Sequence, residues 1–241
     1  ARKIGLKTKL FLWGKETPTP NGNLFLDKVF GADIQYFTKA EYEKVNDIMF
    51  EQRLELLTKK KNAYVFPAGG STTLGIWGYI NFINELKKQV DLSKIDSIVA
   101  ACGSGGTASG MLVGAALNKL NIKIVAVHVL MTKKEMEKHI LRLAEGCVLD
   151  YKLNFTINPN NLIVVDGYSK EGYKKISPAK IKLLKKFAQE TGILFDPAYT
   201  GKAFTAYYEK YLKTGKGKKN IFVHTGGLFA VFGRTKEYLS N

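Results

Sequence analysis

The sequence predicts an α/β protein of open parallel sheets with helices on both faces. Short apolar, β-branched runs alternate with stripes of 3.6-residue period along the whole chain. Runs such as Ser97-Ile98-Val99-Ala100-Ala101 read as buried strands. Several of these runs end in turns that lead straight into helical stretches, the order expected of parallel strands joined by right-handed crossovers.

In chain order, Lys9-Leu10-Phe11-Leu12-Trp13 is a strand, and Pro18, Pro20 and Asn21-Gly22 mark the loop after it. Gly22 to Phe30 suggests a short helix and Ala32 to Phe37 a second strand. Thr38, with Glu41 three residues on, forms a capping box for the next helix. That helix carries Val45, Ile48, Met49, Leu54 and Leu57 down one side and ends at Lys59-Lys60-Lys61, where cations suit the helix dipole. A seam is placed near Pro67–Ser71, dividing a smaller α/β domain (1–70) from a larger one (71–241). In the larger domain, helices are expected over 72–90, 107–120, 132–144, from Ser177-Pro178, and over 199–212. Strands are expected over 97–101, 122–130, 161–166 and 220–224, with Leu194-Phe195 as a further strand entering a turn and a helix. The opening, Ala1 to Leu6, reads as a helix tail stopped by Gly5, so the chain is expected to begin inside a domain.

The 241 residues are 45% hydrophobic and 12% aromatic, which excludes disorder as the main state. A net charge of +16 raises a nucleic-acid reading, but all but four of the 37 basic residues are lysines spread over helix faces. Nucleic-acid recognition leans on the bidentate fork of arginine, so solvated surface is the expectation. No apolar run nears the roughly 20 residues that span a bilayer, and there is no signal-peptide pattern. A cytoplasmic protein without membrane or nucleic-acid partners is expected. Cys102 and Cys147 read as small buried hydrophobes, and His128, His139 and His224 lack metal-ligand spacing, so no metal is expected.

The strongest local chemistry lies in Cys102-Gly103-Ser104-Gly105-Gly106-Thr107-Ala108, between a buried strand and a helix of small residues. Glycines there can turn backbone N–H groups inward, the helix start adds positive potential, and Ser104 and Thr107 add hydroxyls, a composition suited to a phosphate. A merely tight strand-to-helix turn is the other reading. No Lys-Ser/Thr follows as in a Walker loop, and the dinucleotide fingerprint fits poorly. Two more segments, Asp196-Pro197-Ala198-Tyr199-Thr200-Gly201-Lys202 and His224-Thr225-Gly226-Gly227, end strand-like runs, where open α/β sheets bind ligands; a helix cap with a packed tyrosine is the equal reading of the first taken alone.

Together with Gly69-Gly70-Ser71 and Glu171-Gly172-Tyr173, these motifs occur in an order and spacing that resembles the D-cysteine desulfhydrase / 1-aminocyclopropane-1-carboxylate deaminase family. The resemblance implies a pyridoxal-phosphate enzyme of fold type II, the tryptophan-synthase-β-like fold, with 71–241 as its cofactor-binding domain and a homodimer as its assembly. It implies that Gly103, Ser104, Gly105, Gly106 and Thr107 hold the cofactor phosphate and that Thr200 and Thr225 lie near the pyridine nitrogen. Tyr199 would lie against the ring and, with Tyr173, act on the amino-acid substrate as the catalytic pair.

In the deaminases of this family the positions of Thr200 and Thr225 resemble Glu and Leu; in the desulfhydrases both are Thr, as here. A carboxylate beside the ring nitrogen makes a deeper electron sink than a hydroxyl. The expected reaction is therefore β-elimination from D-cysteine, giving pyruvate, ammonia and sulfide. Deamination of 1-aminocyclopropane-1-carboxylate is the alternative. The family's Schiff-base lysine, in a Gly-Asn-Lys segment, has no counterpart here, nor does its Ser-Asn-His segment. The chain is accordingly expected to be the C-terminal part of a longer enzyme and inactive alone, with a non-catalytic phosphate-binding fragment as a further alternative. Thr72 and Lys174 depart from the family's common Asn and Gly.

Overall fold

Lys9–Trp13 (β1) and Asp33–Phe37 (β2) pair in parallel, Lys9 opposite Asp33 and Trp13 opposite Phe37, with α1 (Gly22–Val29) as their crossover. The computed structural model describes residues 1–129, 132–172, 175–214 and 219–239. They form two units, Ala1–Pro67 and Ala68–Asn241, a division that falls slightly before residue 70 and leaves Gly69-Gly70-Ser71 with the second.

In the first unit the Thr38–Glu41 capping box forms, with the Glu41 carboxylate accepting from the Thr38 backbone N–H at 2.8 Å. The helix it opens is interrupted, however. α2 (Lys39–Tyr42) stops at Glu43, and α3 (Val45–Thr58) restarts two residues later. The expected apolar stripe is only half covered: Leu54 and Leu57 are exposed, and no residue of α3 is buried. Two five-residue strands, about 16 Å long, present too little apolar face for a 14-residue helix of about 21 Å.

The second unit is built on a four-stranded, all-parallel sheet in the order β5-β4-β3-β6: Leu162–Val165, Lys123–His128, Ser97–Cys102 and Asn220–Val223. All six residues of β3 are buried, as its uninterrupted apolar run requires of a central strand covered on both faces. One face packs Ile98, Ala100 and Cys102 against α4 (Trp77–Gln89), α5 (Gly106–Leu117) and α6 (Lys133–Asp150). The other packs Val99, Ala101 and Val127 against α8 (Thr200–Tyr207). α7 (Pro178–Thr191) supports α8 through Leu184, Phe195 and Phe204. The α4–α5 seam depends on small residues. A Cβ at Gly110 would fall 2.5 Å from the Ile76 carbonyl oxygen, so only glycine lets these backbones meet.

Several boundaries differ from the sequence expectations. α4 begins at Trp77, not Thr72, because residues 72–76 form tight turns in which Gly75 lies against the Gly70 carbonyl. α6 runs through Gly146 to Asp150, carrying Cys147 into the core, since the packed helix tolerates one glycine. Leu194-Phe195 is no strand: it joins no ladder of the sheet, and the Leu194 carbonyl is taken by the His224 side chain just beyond β6. After Tyr207 the last helical turn widens to a π-helix, Tyr208–Leu212. The chain closes with α9 (Leu228–Phe232) and α10 (Thr235–Leu239). Among the described residues no helix is long and apolar enough to cross a membrane.

Candidate functional site

Strand order locates the crevice. From β3 the chain proceeds outward to β4 and β5, and β6 then returns to the opposite side of β3. The order of connection therefore reverses between β3 and β6, and ligands of open α/β sheets bind beyond the carboxyl ends of strands at such a point. The turns leaving those two strands are 103–105 and 224–227.

The first turn is closed around Ser71. The Ser71 hydroxyl donates to Ser104 Oγ at 2.7 Å and accepts from the Gly106 backbone N–H at 3.2 Å. A Cβ at Gly106 would lie 2.6 Å from Ser71 Oγ, so a larger residue would push this serine out. Gly105 precedes α5 with φ +86° and offers no side-chain cap. The N–H groups of Thr107 and Ala108, in the first turn of α5, have no acceptor within the helix by geometry. Ser104 is tied from below, its carbonyl bonded to Nε2 of His139 at 3.1 Å. Cys102, just before the turn, is a structural thiol: burial raises its pKa to about 12.

The segment 196–200 meets this turn from α8. Tyr199 Oη accepts from the Gly103 N–H at 3.0 Å and donates to the Ala101 carbonyl. Thr200 is fully buried, and its hydroxyl donates to the Asp196 carboxylate at 2.6 Å, with the Gly226 carbonyl 3.4 Å away. Asp196 also accepts from the N–H groups of Ala198, Tyr199 and Thr200. Gly227 packs against that carboxylate: a Cβ there would fall 2.6 Å from Asp196 Oδ2. His224 fixes the second turn through the Leu194 carbonyl and the Gly226 N–H. Thr225 Oγ1 is shielded from solvent and has no hydrogen-bond partner among the described residues.

The structure thus brings Gly103, Ser104, Gly105, Gly106, Thr107, Tyr199, Thr200 and Thr225 to one end of the sheet. Tyr173 lies outside the described residues. Its neighbour Gly172 accepts a hydrogen bond from Nζ of Lys202, a fully buried lysine of α8. Burial lowers the Lys202 pKa, against the opposing pull of Glu171. Sequence reasoning did not single out Ser71, Asp196 or Lys202 as separate actors. An Asp-Pro just ahead of a helix is a legible capping signal for Asp196. A lysine inside a helix carries no signal of burial.

Chemically, the open start of α5 suits an anion, and the orphaned Thr225 hydroxyl suits a single polar ring atom. Both fit pyridoxal phosphate. The profile of the family described as "Pyridoxal-phosphate dependent enzyme" matches residues 1–226. The chain belongs to this family. It is 36% identical over 237 residues to a putative 1-aminocyclopropane-1-carboxylate deaminase of Thermotoga maritima, covering 98% of this chain and 74% of that relative. It is 32% identical over 238 residues to the mitochondrial bifunctional D-cysteine desulfhydrase/1-aminocyclopropane-1-carboxylate deaminase of Arabidopsis thaliana, covering 95% of this chain but only 58% of that relative. A crystal structure of an ACC deaminase homologue superposes with a TM-score of 0.87 at 32% identity, over 99% of this chain and 71% of the other. The fold is the type II pyridoxal-phosphate fold, and pyridoxal phosphate is the cofactor of the family.

Proposed function

We propose that the enzyme containing this chain is a carbon–sulfur lyase that converts D-cysteine, or a related β-substituted amino acid, to pyruvate, ammonia and sulfide. With D-cysteine and one water as reactants, the atoms balance. The observation that supports the reading is the Thr225 Oγ1, shielded and without a partner among the described residues, one residue before the Gly226 carbonyl that Thr200 approaches: a hydroxyl is the group left over for a ligand. The Asp196 carboxylate is already engaged by three backbone N–H groups and the Thr200 hydroxyl.

Pyridoxal phosphate, when bound, supplies a ring that withdraws electrons from the substrate's α carbon. In this reading residues 103–107 hold the phosphate, Ser71 braces that turn, and Thr225 meets the ring nitrogen. Tyr199 and Tyr173 contact the substrate. A hydroxyl at the ring nitrogen sustains weaker withdrawal than a carboxylate, which suffices where a thiolate leaves the β carbon. The relatives' names keep deamination of 1-aminocyclopropane-1-carboxylate as the second reading. Assay of the full-length gene product for sulfide and pyruvate from D-cysteine tests the proposal. Turnover of the cyclopropane substrate with none of D-cysteine would replace it by the second reading.

A further inference from the structure

The segment 168–172 is gripped from two sides. Lys180, on α7, holds it from outside: its Nζ donates to the Tyr168 carbonyl at 2.8 Å and to both Glu171 carboxylate oxygens at 2.7 and 3.0 Å. Burial pushes the Glu171 carboxyl up, but the Lys180 hydrogen bond, a backbone hydrogen bond and the charges of Lys180 and Lys202 together leave it below its usual value. Tyr168 is anchored in turn by Glu209 at 2.7 Å. Lys202 holds the segment from inside, through the Gly172 carbonyl.

Tyr199 is the residue just before α8, in a non-helical conformation, and Lys202 lies in the first turn of that helix. One contacts the Gly103 N–H of the phosphate turn; the other contacts the carbonyl immediately before Tyr173. A fully buried ammonium costs several kcal/mol in desolvation, which a residue serving only to fill space would avoid. We propose that Lys202 is a positioning residue that holds the segment 168–172, which leads into Tyr173, against α8, and so sets substrate affinity more than cofactor affinity. This rests on the proposed contact of Tyr173 with substrate.

The test compares Lys202→Met and Glu171→Gln in the full-length enzyme. The readouts are pyridoxal-phosphate affinity by absorbance, KM and kcat with D-cysteine and the cyclopropane substrate, and hydrogen exchange across 165–176. Lys202→Met is expected to raise KM about tenfold and speed exchange of the segment about tenfold, while cofactor affinity stays within about twofold. Glu171→Gln, at the outer grip, is expected to give about threefold effects in the same direction; if Lys202→Met does not fold, Lys202→Gln, which shortens the reach to the Gly172 carbonyl, decides the matter. Unchanged KM and exchange, or equal losses of cofactor and substrate affinity, would overturn the proposal. If the unmodified enzyme turns over neither substrate, the proposed reaction fails, while the exchange measurement still decides whether the lysine orders the segment.

Discussion

Helices α5 and α8 both begin near the carboxyl edge of the sheet, and their first turns are treated in opposite ways. At α8, Asp196 consumes the exposed donors: its carboxylate takes the Ala198, Tyr199 and Thr200 N–H groups, and its own carbonyl takes that of Gly201 at 2.8 Å. At α5 the residue before the helix is a glycine with no cap to offer, and Ser71 reaches only Gly106. One helix start is closed by the chain itself and can serve as a rigid support. The other is left open, so its donors and dipole act on whatever anion enters. Two helix starts at one sheet edge thus differ in how many donors the chain itself takes up, and the Asp196 carboxylate makes the difference.

Substitutions at the two ends should separate these roles. The largest effect is expected from Asp196→Ala, which strands several buried donors and the Thr200 hydroxyl. Urea denaturation should show a loss of about 3 kcal/mol, and a loss below about 1 kcal/mol would mean that α8 is not held by this carboxylate. Gly106→Ala should act on the ligand instead, displacing Ser71 and weakening cofactor binding about tenfold in a titration, with little change in the urea midpoint. If stability fell as far as for Asp196→Ala, the open end of α5 would be structural after all. Ser71→Ala removes two hydrogen bonds without a clash and is expected to weaken cofactor binding about fivefold. The smallest stability change should come from Thr225→Val. Its hydroxyl has no partner to lose among the described residues, so stability should hold within about 0.5 kcal/mol in urea while the cofactor absorbance shifts. A marked destabilisation would show that the hydroxyl already has a structural role.

Legibility followed the range of the interaction. The capping box at Thr38 and the buried run of β3 were readable because each is complete within a few residues. The glycine turn at 103–107 was readable for the same reason, since backbone freedom and hydroxyls are properties of the segment itself. The stripe on α3 was equally clear as a pattern, yet Leu54 and Leu57 remain exposed because covering them requires a face that the pattern does not supply. The run at Leu194-Phe195 has strand-like composition, but pairing is decided by distant segments: it joins no ladder, and the Leu194 carbonyl is taken by the His224 side chain.

The sequence alone therefore determined the alternation of strands and helices, the open glycine turn before α5, and the hydroxyls placed at strand ends. Tertiary structure decided which of two helix starts stays open, and it decided that a lysine is buried. Tyr199 lies 96 residues from the Gly103 N–H it touches, and Lys202 lies 30 from the Gly172 carbonyl. Periodicity and turn chemistry act over a few residues and are written locally. Strand order and the desolvation of a charge depend on which distant segments meet, and only packing settles that.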